Sequence, residues 1–435
     1  MLDKRILIKK AQAEKEGNKV VIAGWIKNIN LMSKLAFIGV RDASGFIQIV
    51  AKKDNYKDFD KIQDLTRESV VVVSGEVVKS KLRAGGNELI VKEIEVLSKA
   101  GTPLPIDVGA GTSNIDTRID HRFLDTREER VKAIFKIRSK TAKIIVNYFD
   151  DNDFFNITTP KLTSMGVESG AELFNVKYFK RDAFLSQSPQ IYKQMFVAGG
   201  FEKVYEIAPV FRAEKSRTSR HLTEFTGVDM EMGFIKDEND VMDVVEEMFK
   251  NLLINLKKEC PDELKLLNVE IKVPKSIPRI PMGELKEMLE KKGKKLGSDD
   301  DLDSEAEKMI GEYILEKFGE EFVFVTNYPW EVRPFYHMKP KNDPNGTNSF
   351  DLLWNGVEIA TGAQREHRYD ILKAQATEKG VDLDAMEAYA EIFKFGCPPH
   401  GGIGLGIDRI VQRFLKLDNI REAILLPRDP DRLTP

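Results

Sequence analysis

Apolar and polar positions alternate along most of the first hundred residues. Five runs rich in Val and Ile, at 19–30, 35–42, 45–52, 69–80 and 87–98, are separated by Gly, Asn, Asp or Ser, so each predicts a strand. A short helix is expected at about 57–67, between the third and fourth. Five strands with a helix in that place follow the order of an OB-fold barrel. Such barrels commonly bind single-stranded nucleic acid through aromatic and basic side chains. Trp25, Phe37 and Gln48, in the first three strands, are the candidates for that surface. Ordinary barrel core is the competing reading for Trp25 and Phe37.

The pattern changes after residue 103. Residues 104–130 hold Pro, Gly and Thr without clear periodicity and are expected to be a linker, dividing the chain into 1–103 and 131–435. A helix is predicted at 131–151, where Ile134, Ile137, Ile145, Tyr148 and Phe149 recur at helical spacing. A strand ending at Pro160 follows. Further strands are expected at 182–187, 202–212, 223–234, 321–327 and 348–360. A helix at 240–257 carries Val241, Val244, Val245, Met248, Phe249, Leu252 and Leu256 on one face, and another runs from near 404 to about 416. The charged stretch 290–308 reads as a solvated loop and helix start. The fold class is therefore α+β: a five-stranded barrel followed by a domain built on an antiparallel sheet flanked by helices.

Composition narrows the field. The 435 residues are 42% hydrophobic, enough for a large core. No run of about 18 apolar residues crosses a membrane, and the first residues, MLDKRILIKKAQ, lack a signal peptide's apolar core. Cys260 and Cys397 are far apart and form no metal-ligand spacing, which fits a reducing cytoplasm. Cys397, beside two prolines, reads as a packed thiol rather than a nucleophile. Net charge is −3, but residues 1–100 hold 19 Lys+Arg against 13 Asp+Glu, while the rest hold 48 against 57. A basic module on an acidic body points to a polyanionic partner at that end, although an ordinary soluble surface accounts for the same numbers.

Four segments carry residues of chemical interest. In 205–234, Arg212 and Glu214 share one strand face. Lys215, Arg217, Arg220 and His221 sit in the turn, and a strand with Glu224, Asp229 and Glu231 returns. Such a hairpin suits a polyphosphate, because guanidinium forks match its oxygens; a salt-bridged surface hairpin is the bland alternative. In 401–413, GGIGLGIDRIVQR, glycines allow close approach to a flat ligand, with Arg409 early in the helix that follows. It is neither a P-loop nor a dinucleotide fingerprint. Between them, Glu358 and Thr361 are placed to offer oxygen to a hard cation, with Asp351 as a third acid and Arg365 as a carboxylate grip. Upstream, SQSPQIYKQ sets Gln190 and Lys193 on one side of a helical turn that Ser188 and Pro189 begin.

Together these pieces resemble the class II aminoacyl-tRNA synthetases. The helix and strand ending at Pro160 are similar to the first motif, FRAEKSRTSRHLTEF to the second and GIGLGIDR to the third, and the resemblance spans essentially the whole chain. A leading OB-fold marks the subgroup for aspartate, asparagine and lysine. QSPQIYKQ and the ending LPRDPDRLTP resemble aspartate-specific members of archaeal or eukaryotic type. The resemblance implies activation of L-aspartate with ATP and Mg²⁺ and its transfer to tRNA(Asp), with tRNA(Asn) left open as a second acceptor, in a homodimer joined through the first motif.

It also implies roles. Arg212 would bind the α-phosphate and the substrate carboxylate, Glu214 the adenine amino group, and Phe225 would stack on the ring. Arg220, His221 and Arg409 would meet the outer phosphates, with Leu222 and Gly406 completing the ATP site. Glu358 and Thr361 would hold Mg²⁺, and Thr361 would also border the aspartate. Lys193 and Arg365 would bind the aspartate side chain, Gln190 would orient the substrate and Glu168 would take its ammonium. Residues 164–171 resemble the loop that closes over the amino acid, and Phe37 and Gln48 match anticodon-reading positions. Two departures stand out: Ala84 where relatives carry proline, which bears on tRNA choice, and Asp408 where glutamate is commoner, expected to be neutral. The nearest rival is an asparaginyl enzyme, against which Lys193 argues. A non-catalytic tRNA-binding paralogue usually loses a motif arginine, and Arg212 and Arg409 are both present.

Overall fold

The alternating segments of the first hundred residues form β1 (Lys19–Leu31), β2 (Leu35–Arg41), β3 (Phe46–Lys52), β4 (Val70–Lys79) and β5 (Asn87–Ser98). The computed structural model describes residues 1–80, 86–109, 111–164, 173–215, 218–383 and 386–435. Ala84, Glu168, Arg217 and most of the loop 164–171 lie outside the described residues. The chain divides into two compact units, Met1–Pro105 and Ile106–Pro435.

In the first unit β1 pairs antiparallel with β2 and β4, and β3 pairs parallel with β5, closing a barrel in the order β1-β2-β3-β5-β4. Period-two alternation buries Ile38, Val40, Ile49 and Val73 completely inside it. The helix expected at 57–67 is a 3-10 helix, Phe59–Asp64, which seals the barrel with Phe59 and Ile62.

The second unit carries β6 (Phe155–Asn156), β7 (Leu162–Thr163), β8 (Asn175–Tyr178), β9 (Arg181–Leu185), β10 (Lys203–Phe211) and β11 (Glu224–Gly233). Then come β12 (Arg279–Pro281), β13 (Phe322–Thr326), β14 (Ser349–Trp354), β15 (Glu358–Arg365) and β16 (His400–Gly406). Eight of them form one sheet in the order β12-β13-β14-β15-β16-β11-β10-β6, antiparallel except for the parallel pairs at its two edges. The helices Glu129–Asp151 and Glu238–Glu259 bury their apolar stripes in the cluster that contains the sheet. Phe149 stacks on Tyr205 of β10 at 4.9 Å.

Four expectations change. The linker 104–130 is partly structured: Ile115–Asp120 and Arg122–Asp125 are helical. Arg122 is buried and donates to the carbonyls of Arg421, Ile424 and Leu425, which ties the segment to the C-terminal region. The strand at 348–360 is a hairpin, turning at Asn355 and Gly356 with φ of 47° and 67°. Positive φ at both central residues is the two-residue turn that Asn-Gly favours, a signal present in the letters WNGV. The helix near 404 begins at Ile407, because residues 400–406 are strand β16, held between β11 and β15. Finally, the helix start expected in 290–308 is there, opening Ser304–Phe318, but it is packed rather than solvated, with Ala306 fully buried.

Glycine in β16 is a matter of space. A Cβ on Gly402 would stand 2.1 Å from the Met230 carbonyl and 2.2 Å from Glu231 Oε2, whereas one on Gly404 would meet Asp229 at 3.2 Å. Gly402→Ala is expected to lower unfolding stability by about 3 kcal/mol, and Gly404→Ala by clearly less. Urea denaturation of the two variants checks this; equal losses would contradict the packing account.

Candidate active site

The β10–β11 hairpin and the strands beside it surround a cavity of about 640 Å³. Arg212 follows β10 directly, its backbone N–H bonded to the Thr223 carbonyl at 3.0 Å, so the hairpin ladder continues past the strand end. Its guanidinium lies 5.5 Å from the centroid of Phe225 on the returning strand. In the turn, the Thr218 hydroxyl accepts from the backbone N–H groups of Arg220 and His221 and lies 2.8 Å from His221 Nδ1. Burial, with Arg409 and Arg212 adding to it, holds the His221 imidazole below its ordinary range despite Glu214, so it is neutral at pH 7.

From the far end of the sequence, β16 delivers Arg409 to the same cavity. Arg409 Nη1 donates to the Glu358 carbonyl at 3.0 Å and lies 3.6 Å from its carboxylate. Asp408 is buried, accepting from Arg138 at 2.7 Å and from the Thr226 N–H at 3.0 Å. This residue, expected to be a neutral exchange, thus locks the last helix to β11 and to the helix Glu129–Asp151.

Acids gather at one wall, where Glu358 lines the cavity, and behind it, where Asp351 and Glu307 do not. Thr361 donates to Glu358 at 3.1 Å, and Asp351 is the cross-strand neighbour of Thr361. Burial pushes the Asp351 carboxyl up to about 6 although Arg333 opposes this, and Glu358 adds to the rise. Burial and then Glu358 push the Glu307 carboxyl up to about 7, against Arg220 and Arg409. Asp351 Oδ1 is buried without a hydrogen-bond partner. Crowded carboxylates with an unused oxygen fit a hard divalent cation. Among the described residues no group of three His, Cys, Asp or Glu side chains could hold a metal ion.

The other wall gathers donors. Glu231, with no exposed surface, accepts from Arg365 Nε at 3.0 Å and sits 3.3 Å from Lys193 Nζ. Lys193 also donates to Asp229 at 3.1 Å and to the Ile403 carbonyl at 2.9 Å. Arg365 donates further to the Gly402 carbonyl at 3.1 Å and lies 3.0 Å from His337 Nε2. Arginine offers no acceptor, so His337 Nε2 accepts and its proton sits on Nδ1. Burial, then Arg365, Arg333 and Lys193, keep His337 far below its ordinary range, so it stays neutral. Three nitrogens of cavity-lining residues, Gln190 Nε2, Arg333 Nε and His337 Nδ1, are buried without a hydrogen-bond partner. Unpaired buried donors of this kind cost about 1–3 kcal/mol each and suit a ligand rich in acceptors.

Of the residues singled out from the sequence, Gln190, Arg212, Glu214, Arg220, His221 and Leu222 line the cavity, as do Phe225, Glu358, Thr361, Arg365, Gly406 and Arg409. Lys193 does not: it lies behind the wall, engaged by Asp229 and Glu231. Arg333 and His337 line the cavity and were not foreseen; they sit in VRPFYH, whose only signal is Arg, His and aromatics without a strand or helix period. Cys397 keeps its thiol, which burial pushes up to about 12, as a packed side chain does.

In the barrel, Phe37 and Gln48 lie on the outward face of β2 and β3 and, with Trp25, fall outside the barrel's buried cluster. Gln48 donates to Glu88 at 2.9 Å. Gly39 faces Gln48 across the strand pair and leaves room for Asn28 and Phe46 over it.

Comparison with known proteins matches residues 114–430 to the class II tRNA synthetases (D, K and N) and residues 20–97 to the OB-fold nucleic acid binding domain. The aspartate–tRNA(Asp) ligase of Pyrococcus abyssi is 44% identical over 97% of each chain. The aspartate–tRNA(Asp/Asn) ligase of Aeropyrum pernix is 46% identical over 96% of each. Among solved structures, an asparaginyl-tRNA synthetase from Pyrococcus horikoshii with asparaginyl-adenylate aligns with TM-score 0.93 at 32% identity, covering 99% of both chains. An aspartyl tRNA synthetase from Entamoeba histolytica gives 0.90 at 32%, covering 99% of this chain and 93% of that one.

Below the donor wall, His400 is buried 2.8 Å from the Gln194 amide, and burial lowers its imidazole to about 4, with Glu231 opposing. The unfolded chain therefore binds this proton more readily, so neutral His400 adds stability above about pH 6.5 that is lost as pH falls toward 4. The urea midpoint should drop more between pH 7 and pH 5 in the native sequence than in His400→Gln; parallel drops would contradict this.

Proposed function

This chain belongs to the class II tRNA synthetases of the D, K and N group, and from that premise we propose that it is an aspartate–tRNA ligase, activating L-aspartate with ATP and transferring it to the 3′ end of tRNA(Asp). The observation that carries the choice of amino acid is the donor set of the cavity: Arg365 against His337, with unpaired buried donors on Gln190, Arg333 and His337 among its lining residues. An aspartate carboxylate satisfies donors that asparagine's NH₂ would leave facing another donor, a mismatch worth a hundredfold or more in selectivity. Lys193 supports this from behind by its charge, and Glu168 takes the substrate ammonium.

Arg212 holds the α-phosphate and the reacting α-carboxylate together. The carboxylate oxygen attacks the α-phosphorus and pyrophosphate leaves. No covalent enzyme intermediate is needed, and the chain supplies position and positive charge. Glu214 receives the adenine amino group, Phe225 stacks on the ring between Leu222 and Gly406, and Arg220, His221 and Arg409 meet the outer phosphates. Glu358 and Thr361, with Asp351 behind them, would hold Mg²⁺, which when bound adds charge neutralisation at the phosphate oxygens. In the second step the terminal ribose hydroxyl of tRNA attacks the adenylate carbonyl and AMP leaves.

Phe37 stacks on and Gln48 reads anticodon bases; tRNA(Asn), whose anticodon differs at one base, is the further acceptor to test. The working form is a cytoplasmic homodimer joined through the helix Glu129–Asp151 and β6, an edge strand whose Phe155 is exposed. The asparaginyl neighbour among solved structures makes asparagine the second reading.

Pyrophosphate exchange should respond to aspartate and not to asparagine; the reverse would overturn the assignment, and aminoacylation of both purified tRNAs measures acceptor choice. Arg212→Ala should reduce adenylate formation about a hundredfold or more while filter binding of tRNA persists; near-normal exchange would refute the role of Arg212.

A further inference from the structure

Arg220 sits in a turn whose own hydrogen bonds, through Thr218, hold its backbone rather than its side chain. Its guanidinium is held from elsewhere: Nη1 lies 3.0 Å from Glu307 Oε2 and 3.2 Å from Ser304 Oγ, both on the helix Ser304–Phe318. The Glu307 side chain is only 13% exposed, so this is not a solvated surface pair. Neither Glu307 nor Ser304 lines the cavity, whereas Arg220 does.

The helix is fixed against the hairpin that carries Glu358. A Cβ on Gly356 would stand 2.7 Å from the Glu307 carbonyl, and one on Gly311 would stand 2.4 Å from the Gly356 backbone nitrogen. Helix and turn therefore touch backbone to backbone, and the register of Glu307 is set by the sheet itself.

We propose that Glu307 is a positioning residue of the nucleotide site, gripping the outer nitrogen of Arg220 so that the rest of the guanidinium faces the triphosphate. The inference rests on the reading that Arg220 meets the outer phosphates. A guanidinium is a rigid planar fork, so an acid that holds one edge aims the other. An arginine aimed in advance also loses less side-chain entropy when its ligand arrives. Glu307 touches no substrate and acts only through Arg220.

Equilibrium binding of ATP with magnesium, and separately of AMP, to the full chain tests this. AMP lacks the outer phosphates. Glu307→Gln should weaken ATP about tenfold and leave AMP within about twofold, and should add nothing in an Arg220→Gln background. Unchanged or tighter ATP binding in Glu307→Gln, with Arg220→Gln itself weakened, overturns the positioning role alone. Equal weakening of ATP and AMP marks a merely structural residue and also overturns it. Unchanged ATP binding in Arg220→Gln removes the phosphate role of Arg220, and the proposal with it.

Discussion

A single carboxylate, Glu231, sits at the centre of the donor wall, with no solvent exposure and a cation on either side. A buried ion array of this kind contributes little net stability, because desolvation offsets most of the attraction. What it does is fix geometry. Arg365 is held at its Nε edge by Glu231 and at Nη2 by the Gly402 carbonyl, and it presents Nη1 toward His337. The array exists only because β16 passes close beside β11, and β16 does so only because position 402 has no side chain. Backbone space, buried charge and the shape of the donor wall are thus one constraint.

The side of the cavity lined by Arg212 and Arg409 obeys the same logic with different parts. Arg212 and Arg409, far apart in the sequence, reach one cavity because β11 pairs with both β10 and β16. Asp408 secures that convergence by binding Arg138 and the backbone of Thr226 together. Behind Glu358, burial first and the Glu358 charge second raise the proton affinity of Asp351 and Glu307.

Where the sequence carried a local period, it was legible. The helix Glu238–Glu259 shows its stripe with Val241, Val245, Met248 and Phe249 all buried, whereas the β10–β11 hairpin was legible from its polar turn although burial along its strands does not alternate. The Asn355–Gly356 turn was spelled out yet absorbed into one expected strand. Residues 404–406 were expected to open the last helix, because glycine has poor strand propensity, and only the neighbouring strands reveal that His400–Gly406 is a strand in which glycine supplies space. Spacing put Gln190 and Lys193 on one side of a helical turn, but only the sheet crossing decides that Gln190 meets the cavity and Lys193 lies behind it. Arg333, His337 and Glu307 had no period to betray them; their significance comes from which distant residues they touch.

The most direct test of the account is Glu231→Gln, assayed for aspartate-dependent pyrophosphate exchange alongside ATP binding. If Glu231 holds the amino-acid wall in place, removing its charge leaves two buried cations underpaired, and kcat/KM for aspartate should fall about a hundredfold or more while the Kd for ATP stays within about twofold. Exchange with aspartate at close to the native rate would contradict the account.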